Sequence, residues 1–366
     1  LCYPDWVIAK CIGKCISQID WRGSAKEWGN MKKGLSLVQW FLSSFLAVGL
    51  VMCSVSVAMA DDTGSATPST AASPTPSASP KVIQSADDLL TNNNLRAFSG
   101  SLSKWSIASQ VEYLGGTLGS PFSQDRPDIS NGSGTTAKSD IDGSISVKYN
   151  IDVRNSLMLG FGFRWIAPFT FGSVNNYDGD RFDAMNPYLQ YQYIYNWLGI
   201  QSVLQVQGTQ WTQTDFTALG YARALNVDQE NVYEIGKTGL SIGMSAWFTY
   251  QWFNKTGSYG SPSNPATYIA NVQTVQSQYS FAFAPYLEYQ VSDKVNLRTL
   301  INCAMYEHYQ AISDKLSVVH DTVYQSIGVG ISVTRDVFLY PNVQFLPGDF
   351  VSNETNVGLS ATINLF

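Results

Sequence analysis

Past residue 60 this 366-residue chain has no apolar run near the roughly 18 residues that a membrane-crossing helix needs, so any crossing beyond that point must be made by strands. Charge is scarce, at 14% of residues. Histidine occurs only at His308 and His320. Four of the five cysteines, Cys2, Cys11, Cys15 and Cys53, lie before residue 60 and leave Cys303 alone after it. A lone cysteine excludes an intramolecular disulfide and a Cys-based zinc site from that remainder. Residues 1–60 hold six of the 22 basic and three of the 28 acidic residues, so the rest carries 16 basic against 25 acidic, a formal charge of −9. Nucleic acid is a disfavoured partner for such a chain. No cofactor and no metal site is expected.

The one long apolar stretch, residues 35–59, follows Met31-Lys32-Lys33 and ends in Ala58-Met59-Ala60. A positive start, an apolar centre and a small-residue cleavage site stand in the order of a secretory signal peptide, with cleavage expected after Ala60. A lipoprotein signal at Cys53 is the rival, but Met52 stands where that signal wants a small residue. Residues 1–30 precede the signal and begin with Leu. Lys26-Glu27 is encoded by codons able to spell a ribosome-binding sequence, so these residues are expected to be leader that is not translated.

Residues 61–80 contain no aromatic residue and are mostly Ser, Thr, Ala and Pro. Such a composition cannot bury enough apolar surface to fold, and residues 61–99 are expected to be a disordered periplasmic segment. Within it, Ser85 and Asp88 have capping spacing, which fits a short capped helix or a frayed turn.

From about residue 100 to 366 the chain repeats strands of roughly ten alternating residues. In SFAFAPYLEYQVSDKVNLRTLINCAMY, residues 280–306, Phe281, Phe283, Pro285, Leu287, Tyr289 and Val291 share one face. After the Ser-Asp-Lys centre, Val295, Leu297, Thr299, Ile301, Cys303 and Met305 share one face, while Arg298, Asn302, Tyr306 and His308 share the inward one. Connectors alternate between long polar loops, at 117–140 and 167–182, and tight turns at Arg154-Asn155, Asn196-Trp197, Asp293 and Asp336. Residues 210–278 must hold an even number of strands if the tight turns all lie at one end, which places a strand within 217–236 beside that at 239–252. The expected total is twelve, with ten or fourteen as alternatives. An apolar, aromatic-tipped face opposite a polar face rich in Gln190, Gln192, Gln201, Gln205 and Gln207 predicts an all-β, transmembrane, antiparallel up-and-down barrel.

The last strand, TNVGLSATINLF, carries Asn356-x-Gly358-x-x-Ala361-x-Ile363 and ends in Phe366. It resembles the signal by which barrel assembly machinery recognises its clients, although Leu365, not Phe366, is in register with Ile363. Over residues 100–366 the architecture resembles bacterial outer-membrane β-barrel proteins. That resemblance implies outer-membrane lipid, lipopolysaccharide and the assembly machinery as partners. It also implies a porin-like passive channel for small polar solutes, with a side-chain-filled structural or surface-interaction barrel as the second expectation and a barrel hydrolase as the third.

Little in the sequence points to catalysis. Gly239-x-Ser241-x-Gly243 matches a nucleophile elbow but stands in an alternating strand rather than a strand-turn-helix. His308 and His320 read as solvated residues at a loop edge. Asn176, Asp178 and Asp180 around Gly179 lack the closing Glu of a calcium loop. Glu288 should oppose Arg298 on the lumen side, and with Glu112, Lys148 and Arg164 they are the candidate lumen-lining or constriction residues. A network across a narrow bore and a selectivity constriction are the two readings.

Overall fold

In a computed structural model the chain is described over residues 85–129, 136–169, 181–264, 268–302, 304–320, 322–347 and 350–366. The leader at 1–30, the signal segment with Ala58 and Ala60, the Asn176, Asp178 and Asp180 group, and Cys303 lie outside these residues.

Twelve antiparallel strands follow one another around a closed barrel. They are β1 (Trp105–Leu114), β2 (Asp140–Asn150), β3 (Asn155–Ile166), β4 (Arg181–Trp197), β5 (Ile200–Gln210) and β6 (Tyr221–Glu234). Then come β7 (Leu240–Phe253), β8 (Ser277–Ser292), β9 (Val295–Asn302, continued as Ala304–Tyr309), β10 (Tyr324–Thr334), β11 (Val337–Phe345) and β12 (Thr355–Leu365). Each strand pairs with its neighbour in sequence, and β12 pairs back onto β1, with Ile107 opposite Leu365. Closure leaves no row of unpaired backbone groups at an edge, which a lipid environment would penalise. The strand expected within 217–236 is β6, and the count of twelve holds.

Alternation decides which residues face outward. On β8, Leu287, Tyr289 and Val291 are 47%, 51% and 57% exposed, while Ala282, Ala284, Tyr286 and Glu288 on the other face are buried. The exposed side chains form a continuous apolar band, with Trp105, Trp197, Tyr233 and Tyr289 toward the short-turn end and Trp165, Phe182 and Trp252 toward the long-loop end. A surface this apolar is unstable against water and suits a bilayer flanked by aromatic girdles.

Two register details depart from simple alternation. The turn expected at Asn196-Trp197 lies two residues later: Trp197 pairs with Ile200, and Leu198 and Gly199 have φ of 52° and 85°. Two successive left-handed residues make the two-residue hairpin turn whose twist matches the strands, and Gly199 adopts that conformation without strain. The second departure is a one-residue slip in β9. Leu300 opposes Tyr286, but Ala304 opposes Phe283, so one extra residue enters the strand between Asn302 and Ala304. Such a bulge reverses which face each later residue takes. Tyr306 therefore turns outward onto Phe281, with ring centroids 5.0 Å apart, and Met305 turns into the lumen. His308 stacks on Tyr279 at 4.7 Å, and its Nδ1 lies 2.8 Å from the Ser317 carbonyl oxygen. The expected inward Tyr306 and His308 are thus corrected, and His308 is buried at 1% exposure instead of solvated.

The expectation of disorder up to residue 99 is also corrected over 85–99. Ser85 and Asp88 form a reciprocal capping box on a 3₁₀ turn, Ala86–Asp88. A helix, α1 (Asn93–Ser99), follows, capped by the Asn92 side chain and ended by Gly100 at φ 86°. Leu89, Leu90 and Leu95 are buried against Ile194, Val203, Val232 and Tyr286 from the inner wall. The segment looks too polar to fold when read alone, but the barrel supplies the apolar wall that this short stretch lacks.

Candidate functional site in the barrel lumen

Residues 85–101 fill the short-turn end of the lumen, tied there by side chains from around the wall. The Thr91 and Asn92 amides donate to Gln201 Oε1 at 2.6 and 2.8 Å. Asn92 Nδ2 donates to Glu288 Oε2 at 2.7 Å, and Thr91 Oγ1 to Glu234 Oε1 at 2.8 Å. Carbonyls along α1 and its exit accept from Gln192 at Ser99 (2.8 Å), from Asn364 at Ala97 (2.8 Å) and from Arg335 at Gly100 (2.5 Å). Lys148 Nζ also donates to the Ser99 carbonyl. Arg335 pairs with Asp87 at 2.8 Å. The Ala97 carbonyl already accepts from the Gly100 amide at 3.0 Å, and the wall adds donors there and at Ser99 and Gly100, which completes the cap.

Above Phe98 of this plug lie two neighbouring chambers, each of about 150 Å³. The first is lined by the inward faces of β1 to β7, and on β4 to β7 strand register sets neutral polar side chains in rows: Gln190 opposes Gln207, Gln207 opposes Asn226, and Asn226 opposes Thr249. The second chamber borders Glu230, Ser245, Arg298 and Tyr340.

The five candidate lining residues all point inward but do not form one network. Glu288 opposes Arg298 as expected, with Arg298 Nη1 3.4 Å from Glu288 Oε1. The guanidinium carbon lies 4.1 Å from the Tyr286 ring centroid and 5.5 Å from that of Tyr340. Arg164 stands nearer the long-loop end, paired with Asp140 and, at 3.3 Å, with Asp142. Glu112 opposes Asp142 there, and Arg126 from the β1–β2 loop faces both carboxylates. Burial pushes the Arg126 guanidinium below its ordinary range, and Asp128, Asp142 and Glu112 oppose that shift. Lys148, on β2, is engaged by the Ser99 carbonyl of the plug. Most of the charge is therefore grouped at three separate places, and the first chamber is bordered by the carboxylates Asp142 and Asp228 among carboxamides and hydroxyls.

The long-loop mouth carries a feature the alternation pattern did not reveal. A bulge in β4 puts Asn186 at φ 53°, next to Pro187. Asn186 accepts from the Thr212 and Gln213 amides at 3.0 and 3.2 Å and donates its own amide to Thr212 Oγ1 at 2.8 Å. This fastens the loop containing α2 (Thr214–Ala218), where Trp211 stacks on Phe216 at 4.4 Å and packs against Tyr221. Trp211 Nε1 donates to Gln251 Oε1 at 2.8 Å. A proline inside an apparent strand was the available signal for the bulge.

Other candidates take structural places. Ser241 is a buried inward residue of β7, not a residue of a strand-turn-helix elbow. Asn356 is buried in the lumen wall, Gly358 lies opposite Leu114 and Asn342, and Ala361 and Ile363 alternate outward with Leu365. Phe366 is 80% exposed at the end of β12.

No protein-family model and no curated protein matches this chain. Among solved structures it is similar to the NanC porin at 8% identity and a TM-score of 0.36, over 71% of this chain and 98% of that one. It is similar to an outer-membrane channel from Pseudomonas putida F1 at 10% identity and a TM-score of 0.42, over 73% and 97%. For Salmonella typhi OmpF in complex with daunomycin the values are 8%, 0.30, 71% and 97%. What the barrel does has to be read from its own geometry.

Proposed function

We propose that this protein is a bacterial outer-membrane channel passing small polar solutes passively, with its short-turn mouth toward the periplasm and occupied by residues 85–101. The observation that carries this is a polar-walled space, lined chiefly by carboxamides and hydroxyls, inside a closed barrel whose outside is apolar. Short turns and both ends of the barrel domain lie at one end, the usual periplasmic arrangement. Export through the signal segment cleaved after Ala60, insertion by barrel assembly machinery through the Asn356 to Phe366 strand, and contact with lipopolysaccharide belong to the same proposal. Catalysis does not, because Ser241 stands in a regular strand and His308 has turned away from the lumen.

A second reading, a structural barrel acting through its outer loops, is favoured by the number of polar ties that hold the plug. Single-channel recording separates the two. Residues 61–366 in planar bilayers are expected to give brief or small steps, and the Gln201→Ala/Arg335→Ala double variant longer and larger ones. A heat-modifiable, folded barrel giving no steps in either protein would discard the channel and leave the structural barrel.

A further inference from the structure

Resting on the channel reading, the chemistry of the first chamber narrows its solute. We infer that this chamber is a binding site for an uncharged polyhydroxylated solute of mono- or disaccharide size.

Three observations converge on that class. First, the wall presents carboxamides at Gln190, Gln205, Gln207 and Asn226, and each offers a donor and an acceptor at one position. Sugar hydroxyls have the same dual character, whereas an anion needs a fixed positive charge, and no Lys, Arg or His is among the described lining residues. Gln205 Nε2 donates to Gln192 at 3.0 Å and Gln207 Nε2 to Thr209 at 2.9 Å. Among the described residues no donor reaches the Oε1 of either, so these acceptors remain for a solute or for water. Second, Asp228 opposes Gln205 on one side and Trp247 on the other. Among the described residues it has no cation or hydrogen-bond donor, in contrast to the paired carboxylates Glu288 and Asp142. A carboxylate without a cation repels anionic solutes and can accept from two adjacent hydroxyls. Third, Trp247 lines both chambers, and its ring gives a flat apolar surface on which the C–H face of a pyranose can lie. The chamber admits on the order of ten waters, which suits a small hydrated solute better than a polymer.

Titration calorimetry on refolded residues 61–366 in detergent, with maltose as probe and glucuronate and choline chloride as comparators, tests the site without requiring conduction. Saturable maltose binding is expected, with no binding of glucuronate. Trp247→Ala and Gln207→Leu should each weaken it about three- to tenfold, the effect of losing one contact of ordinary strength. Both side chains face the lumen, and heat-modifiability verifies that each variant still forms a barrel. Absent maltose binding, choline binding tighter than maltose, or affinity unchanged in both variants would overturn the assignment. Maltose binding without conductance would remove the channel and keep the site; conductance without maltose binding would do the reverse.

Discussion

Arg298→Ala should be the most damaging single change in the lumen. The guanidinium neutralises Glu288 at 3.4 Å and also faces Glu230, whose Oε1 accepts from Ser245. Glu288 and Glu230 are 3% and 5% exposed, so the alanine leaves two buried carboxylates without their cation. Breaking a buried pair in this way costs about 3–5 kcal/mol. Losing the contact with the Tyr286 ring adds about 0.5–2 kcal/mol, and water in the second chamber offsets part of the total. A net loss of about 3 kcal/mol is expected from these opposing effects. Glu288→Gln should cost less, because the amide oxygen it introduces can still accept from Asn92, and Arg298 keeps Glu230 as a partner. Equilibrium urea unfolding of the protein refolded into lipid vesicles, followed by tryptophan fluorescence and gel mobility, measures both variants. A loss under about 1 kcal/mol for Arg298→Ala, or a larger loss for Glu288→Gln, would show that water already screens the pair and refute the argument.

A methyl added at Gly243 would overlap the Tyr286 ring lying across it, so Gly243→Ala should destabilise by about 1–3 kcal/mol in the same unfolding assay; no loss would mean the ring has room to move. Spin labels at 299 and 305, positions that strict alternation puts on one face, should differ: oxygen dissolved in lipid reaches 299 and a water-soluble nickel chelate reaches 305, while matching profiles would refute the β9 bulge. In the β2–β3 turn, slight desolvation pushes the Asp152 carboxyl up, but donors from the Arg154 amide, the Asn155 side chain and the Asn155 amide outweigh it and leave it below the ordinary range. A lowered folded pKa gives stability that is present above the unfolded value and lost as pH falls through the folded one. Asp152→Asn should therefore be less stable than the parent at neutral pH and converge with it in strong acid; a gap that persists in acid would contradict the assignment.

Much of the barrel was legible along the chain because β alternation is a local property. The outward Leu287, Tyr289 and Val291 and the inward Gln190, Gln205 and Gln207 follow from period two alone, and parity required β6 where the pattern was weakest. Glu288 and Arg298 could be paired because a tight turn near Asp293 sets their register, even though a bulge at Val291 shifts the last pair to Ser292 and Val295. Beyond Asn302 the same reasoning failed. One extra residue changes no composition or propensity, yet it exchanges Met305 for Tyr306 at the lumen wall.

Sequence by itself determined that any crossing after residue 60 is made of strands, that these alternate apolar with polar with twelve as the expected count, and that the lumen is lined chiefly by amides and hydroxyls. Only the tertiary structure decided that residues 85–101 enter that lumen, since their leucines gain an apolar wall and their carbonyls gain donors from β2, β4, β10–β11 and β12 only once the barrel has closed. It likewise decided that most of the lumen's charges divide among the plug ties, the Arg298 pair and the Arg164 group, with Asp228 apart from them at the first chamber. Electrostatic pairing depends on distance across strands far apart in sequence, and no periodicity along a single strand encodes it.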